Sequence, residues 1–174
     1  MLQFRLPDSP STARAKDDSS FAEKKRPWGT AESVDLSGRG WELKGLLQDH
    51  GRASYVSRLS LAGNADMGQK LADFFAEGRA STPLSRLLSL DVSDNRVQSL
   101  EPLLRLSSLE ELNATGNCID KIPAGLSRLK SLRKLQLARN SVRDLSAFAR
   151  LANLSNLSEL TVAGNPATDM PHTK

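Results

Sequence analysis

The chain is poor in the residues that carry covalent and metal chemistry. It holds one cysteine, Cys118, among 174 residues. A lone thiol closes no disulfide within the chain, and a reducing compartment is expected. The two histidines, His50 and His172, lie far apart and form no metal-spaced set, so no metal or cofactor is expected. Aromatics are scarce, with two Trp, one Tyr and five Phe. Trp28 and Trp41 both fall near the N-terminus, which leaves no ring platform for stacking single-stranded bases. No apolar run reaches the ~18 residues of a membrane span. Met1–Pro10 lacks the hydrophobic stretch of a secretory signal, so the sequons at Asn113, Asn153 and Asn156 are read as chance matches. There is no Gly-rich phosphate loop with a lysine and no Cys-x-x-Cys, and enzyme activity is not expected. The net charge, +4, is too small to name a partner by itself. The expected setting is intracellular: cytoplasmic, with nuclear or ciliary and cytoskeletal settings as alternatives.

What the chain has instead is a repeat. Leu109-Glu-Glu-Leu112-Asn-Ala114-Thr-Gly-Asn117 reads L-x-x-L-x-A-x-x-N. The pattern recurs upstream at Val56–Asn64 and Leu87–Asn95, and downstream at Leu132–Asn140 and Leu157–Asn165. An apolar alternation closed by Asn and repeated along a chain marks a solenoid. Over roughly Val34 to Pro166 the chain resembles the leucine-rich repeat family. The resemblance implies a curved α/β solenoid, a right-handed superhelix with a parallel concave sheet of about six short strands and convex helices or 3₁₀ turns. Extracellular members usually carry disulfide-bonded clusters at both ends, and none can form here.

Taken in order, residues 1–30 read as a disordered tail, rich in Ser, Pro, Ala, Lys and Asp. Six basic residues face four acidic ones there, and Lys24-Lys25-Arg26 is read as part of a solvated tail rather than an import signal. Trp28 is expected to cover the first coil. The repeat domain spans 31–166. Ser33-Val34-Asp-Leu36 is a degenerate first strand, with Arg39 in the Asn position. Trp41–Leu47 has helical spacing, ending near Gly51. The interval from Asn64 to Asn95 is 31 residues. It resembles the long repeats of the ribonuclease-inhibitor subclass, with Met67, Leu71, Phe74 and Phe75 on one helix face and Gly78 closing the helix. The next intervals are 22, 23 and 25 residues. They resemble the short subclass typified by a regulator of protein phosphatase 1, with room for only a 3₁₀ turn or one turn of helix, and Phe148 is expected in the convex core. Gly164-Asn165-Pro166 resembles the junction to a C-terminal cap helix. Residues 167–174 carry no apolar face for that role, so a fragment, a short isoform or a neighbour covering the open end is expected.

Alternation along each strand sends Leu90 and Val92 inward and their neighbours outward. The Asn side chains should turn inward onto backbone groups. The outward positions form three predicted rows on the concave face. Its candidate partner-binding residues are Arg58, Ser60, Ser89, Asp91, Glu111, Asn113, Arg133, Lys134, Gln136, Arg139, Glu159 and Thr161, with Arg58, Lys134 and Arg139 as anchors. The carboxylates Asp91 and Glu111 are read as solvated neighbours rather than an acid–base pair. Residues 121–150 hold eight basic groups against Asp144 alone, a band that could steer an acidic partner. The functional expectation is a non-enzymatic protein–protein interaction module, a scaffold or regulatory subunit binding another protein through the concave face. Resemblance to phosphatase regulators, ciliary and centrosomal proteins and tubulin-folding factors does not choose among partners. The alternatives are a ribonucleoprotein subunit with electrostatic nucleic-acid contact, resembling the leucine-rich partner in the spliceosome, and an enzyme inhibitor resembling the ribonuclease inhibitor.

Overall fold

The computed structural model describes residues 32–39, 42, 44–45, 53–76 and 84–169. The expectations for the tail 1–30, Trp28, most of the Trp41–Gly51 helix, Gly78 and the last residues lie outside them.

Six strands form one parallel sheet in sequential order: β1 (Ser33–Asp35), β2 (Arg58–Ser60), β3 (Ser89–Asp91), β4 (Glu111–Asn113), β5 (Lys134–Gln136) and β6 (Glu159–Thr161). The register sets like position on like position, so Val34, Leu59, Leu90, Leu112, Leu135 and Leu160 form one continuous row. Each strand has only three residues, and the period of two turns its middle residue into the solenoid. A second inward row (Leu36, Leu61, Val92, Ala114, Leu137) lies beside the first, and every member is fully buried.

The return segments differ in length, and their structure follows. The long second coil holds helix α1 (Met67–Ala76), whose Met67, Leu71 and Phe75 are buried at helical spacing. The side chain of Phe74 lies outside the described residues. The 22- and 23-residue coils have room only for 3₁₀ helices, Glu101–Arg105 and Ala124–Arg128, which bury Leu103 and Leu126. The fifth coil makes one turn of helix, α2 (Ser146–Ala149), running into a 3₁₀ turn at Arg150–Asn153. Its core contacts come from Ala147 and Leu151; Phe148 is only half-buried against them, which corrects its expected place inside the core.

The Asn of each coil is buried and bonds across coils. Asn117 Nδ2 donates to the carbonyls of Val92 at 2.9 Å and Ala114 at 3.0 Å. Its Oδ1 accepts the N–H groups of Asn95 at 3.1 Å and Val97 at 2.8 Å. Asn64, Asn95, Asn140 and Asn165 repeat the donor half of this arrangement. In the first coil Arg39 stands at the Asn position but is exposed, and its guanidinium donates to the Asp35 carbonyl at 2.6 Å. In the last coil no further Asn follows, and the Asn165 N–H donates instead to Thr168 Oγ1 at 3.1 Å. Sequence reading missed Thr168; its only signal was a hydroxyl three residues beyond the final Asn.

The two ends of the sheet differ. Val34 in β1 is 3% exposed, whereas its counterpart Leu160 in β6 is 43% exposed, with Phe148, Leu154 and Leu157 around it.

Candidate functional site

The outward side chains of the sheet stand in rows fixed by the strand register. The first runs Ser33, Arg58, Ser89, Glu111, Lys134, Glu159; the second runs Asp35, Ser60, Asp91, Asn113, Gln136, Thr161. Neighbouring members lie roughly 4.8 Å apart, the spacing of paired strands. Ten of the twelve candidates thus share one face. The other two flank it: Arg133 precedes β5, and Arg139 stands in the turn after it.

Many of these groups already bond one another. Lys134 Nζ lies 2.7 Å from Glu159 Oε2, and this contact, aided by Glu111 two strands from Glu159, raises the lysine above its usual range. Ser89 Oγ donates to Glu111 Oε2 at 3.2 Å. Asp91 accepts the Ser93 N–H at 2.8 Å and Asn113 Nδ2 at 3.1 Å, so both its oxygens are engaged. Asp35 accepts the Ser37 N–H at 2.9 Å, and its hydrogen bonds from Ser37 lower its pKa. Ser60 and Ser37 share a hydroxyl contact of 2.8 Å. Arg133 lies 3.9 Å from Glu110. Among the described residues, the side chains of Arg58, Gln136 and Thr161 have no such partner. Of the three anchor candidates, Lys134 and Arg139 are paired, and Arg58 has no partner among the described residues. Ser93, the next outward position after Asp91, is 9% exposed and adds little surface.

A charged ridge borders the face. The residue before each repeat Asn takes positive φ: Gly63, Asp94, Gly116, Arg139 and Gly164. Two of these are not glycine, and left-handed backbone costs an ordinary residue about 1–2 kcal/mol. Their side chains meet over the intervening coil, with Arg139 Nη2 3.5 Å from Asp94 Oδ1. Gly116 lies beneath the bridge, and a Cβ there would run into Asp94 Oδ1. Sequence reading missed Asp94. Its partner is 45 residues away, and only the stacking of coils brings the two together.

The face offers hydroxyls, amides and alternating charges. Among the described residues no group of His, Cys, Asp and Glu is placed to hold a metal ion, and no helix is long and apolar enough to cross a membrane. Asp91 and Glu111 sit diagonally on β3 and β4, each bonded to a neighbour on the face.

Several known proteins are similar to this chain. Leucine-rich repeat-containing protein 23 of Bos taurus is 35% identical over 81 residues, 47% of this chain and 24% of that protein. The U2 small nuclear ribonucleoprotein A' of Homo sapiens is 33% identical over 90 residues, 51% of this chain and 35% of that protein. The chain thus spans about a quarter of the first and about a third of the second of these relatives. The plant peptide hormone receptor RGFR1, solved in complex with RGF2, shares the fold, with a TM-score of 0.50 and 23% identity over 64% of this chain and 17% of that one. The family profile described as leucine-rich repeat matches residues 77–174, more than half of the chain. With its stacked strands and buried Asn ladder, the chain belongs to the leucine-rich repeat family.

Proposed function

We propose that this chain is a non-enzymatic interaction module that binds a partner protein through the concave sheet face. The observation that carries this reading is the face itself: six parallel strands present two continuous rows of outward polar side chains. A regular, extended and rigid surface of this kind suits a macromolecule better than a small ligand. Its internal ion pairs hold side chains in place before a partner arrives, which lowers the ordering cost of binding. Among the described residues, Arg58, Gln136 and Thr161 have no side-chain bond that a partner would have to break. A scaffold or regulatory subunit acting inside the cell, in the cytoplasm, is the role this reading favours.

The test is affinity capture from a cell extract with mass spectrometry. Wild-type chain would be compared with Arg58→Glu/Gln136→Glu, after circular dichroism shows that both fold. A protein held by the wild type and lost by the variant supports the concave site. A partner retained by both removes the site from this face.

A second reading has one observation in its favour, the similarity to a protein named as a small nuclear ribonucleoprotein subunit. Under it the chain is a ribonucleoprotein-associated subunit with electrostatic contact to RNA. Recovery of the captured material would then be sensitive to nuclease, and binding would weaken steeply with salt.

A further inference from the structure

The sheet is closed at the β1 end and open at the β6 end, in its side chains and in its backbone. Both inward rows open at the same place. Leu160 is 43% exposed where its row-mates are buried, and Val162, which continues the row of Leu36, Leu61, Val92, Ala114 and Leu137, is only half-buried. Beside Leu160 lies a recess of ≈ 350 Å³ walled by Phe148, Leu154 and Leu157. In a parallel sheet the residues of one strand bond alternately to its two neighbours. On β6 the Glu159 N–H donates to the Arg133 carbonyl, and the Thr161 carbonyl accepts the Leu137 N–H. Both residues therefore serve β5. Leu160, between them, turns its N–H and C=O to the outer edge, where no further strand follows among the described residues.

Proteins ordinarily blunt such an edge with charge or a bulge. Here the stretch Leu151–Ala167 holds one charged residue, Glu159, and Lys134 already lies 2.7 Å from its Oε2.

We propose that this edge pairs with the same edge of a second copy of the chain, antiparallel and about a twofold axis through Leu160. Three features select a second copy as the occupant. In an antiparallel ladder, one class of residue pair exchanges both N–H···O=C bonds. On the axis Leu160 meets its own counterpart in that way, and both outward backbone groups of each copy are satisfied. The same register sets Glu159 opposite Thr161 of the second copy, at two symmetric places. The Thr161 side chain has no partner among the described residues, its hydroxyl can donate to the remaining Glu159 oxygen, and no like charges face each other. Residues directly opposite also share one face of the sheet, so the two Leu160 side chains lie side by side and the two open cores cover one another. The β1 edge is a poorer match for β6. Val34 is 3% exposed and leaves no apolar surface to cover, and a β6-to-β1 contact repeats without closing.

The experiment is sedimentation velocity on the full chain over a concentration series, with Thr161→Glu and Thr161→Lys beside the wild type and circular dichroism on all three. Position 161 points outward, so neither change enters the core. The wild type should form a dimer as concentration rises. Thr161→Glu sets like charges directly opposite at two places and should weaken the dimer about tenfold. Thr161→Lys faces Glu159 with a cation and should dimerise at least as well as the wild type. A readout that needs no variant is hydrogen exchange at the Leu160 N–H by NMR. This amide should exchange freely in dilute protein and become protected where the dimer forms. A monomer at every concentration, species growing beyond a dimer, or a Leu160 amide indifferent to concentration overturns the proposal. So does a dimer that Thr161→Glu leaves intact or that both variants weaken equally. A failure here leaves the concave reading standing, because that reading is tested by capture with Arg58→Glu/Gln136→Glu.

Discussion

Replacing a ladder asparagine by leucine keeps the bulk of the side chain and removes its hydrogen bonds, and the cost should differ sharply between coils. Asn117 Oδ1 accepts two buried N–H groups, those of Asn95 and Val97. Its Nδ2 serves three carbonyls, but Ala114 O also receives Asn140 Nδ2 and Thr115 O also receives the Asp94 N–H. Asn117→Leu therefore orphans three groups: two donors and the Val92 carbonyl. At about 1–3 kcal/mol per buried orphan, the loss should be at least about 3 kcal/mol. Asn140 is different. Its Nδ2 donates to Ala114, Leu137 and Ala138, each of which has a second donor in Asn117, Asn165 or Gly116. Only the Ile119 N–H, bonded to Asn140 Oδ1 at 3.1 Å, loses its partner. Asn140→Leu should cost about 1–3 kcal/mol. Since total stability is about 5–15 kcal/mol, both effects are measurable by urea unfolding followed by circular dichroism, with unchanged m-values. An Asn140→Leu loss equal to or larger than that of Asn117→Leu would refute the accounting of shared acceptors.

Gly68 in α1 faces the Arg96 carbonyl so closely that a Cβ would overlap it; Gly68→Ala should lower stability by up to about 2 kcal/mol in a thermal melt, since overpacking costs about 1–3 kcal/mol and alanine returns roughly 1 kcal/mol of helix propensity. Leu135 is fully buried while Leu160 is 43% exposed in the same row, so Leu135→Ala should cost about 2–5 kcal/mol and Leu160→Ala distinctly less, by denaturant titration. Lys134 has its pKa raised above 10.5 by the Glu159 contact. Its contribution is fully present below the unfolded value and is lost as pH rises through the higher folded one, so its ammonium should titrate above the usual lysine range by NMR, and Glu159→Gln should remove that rise.

The repeat positions were legible because each apolar residue answers to two constraints at once, the strand period and the stacking of coils. Leu90 and Leu112 had to point inward for both reasons. The Asn ladder was legible for a related reason: a polar residue recurring beside a core has backbone groups to bond. The lengths between asparagines also told which coil had room for a real helix and which for a 3₁₀ turn. What stayed hidden depends on distances across coils. The sequence places Asp94 and Arg139 in separate repeats, and only their shared left-handed turns, with Gly116 between, let them meet. The pairing of Lys134 with Glu159 follows from register, which the pattern does give, yet the choice of Glu159 over Glu111 rests on side-chain geometry. Gly68 looked like an ordinary helix residue, because its constraint comes from the turn of the following coil. Phe148 was placed in the core by its size, whereas α2 presents Ala147 there instead.

The most direct test of the central claim is site-specific photo-crosslinking to a captured partner. A benzoylphenylalanine would replace Gln136 in the middle of the concave face or Ser127 on the convex side, in chains shown to fold. The account predicts a covalent adduct with the partner protein from position 136 and none from position 127. Crosslinking from 127 alone would contradict it and would move recognition to the opposite side of the solenoid.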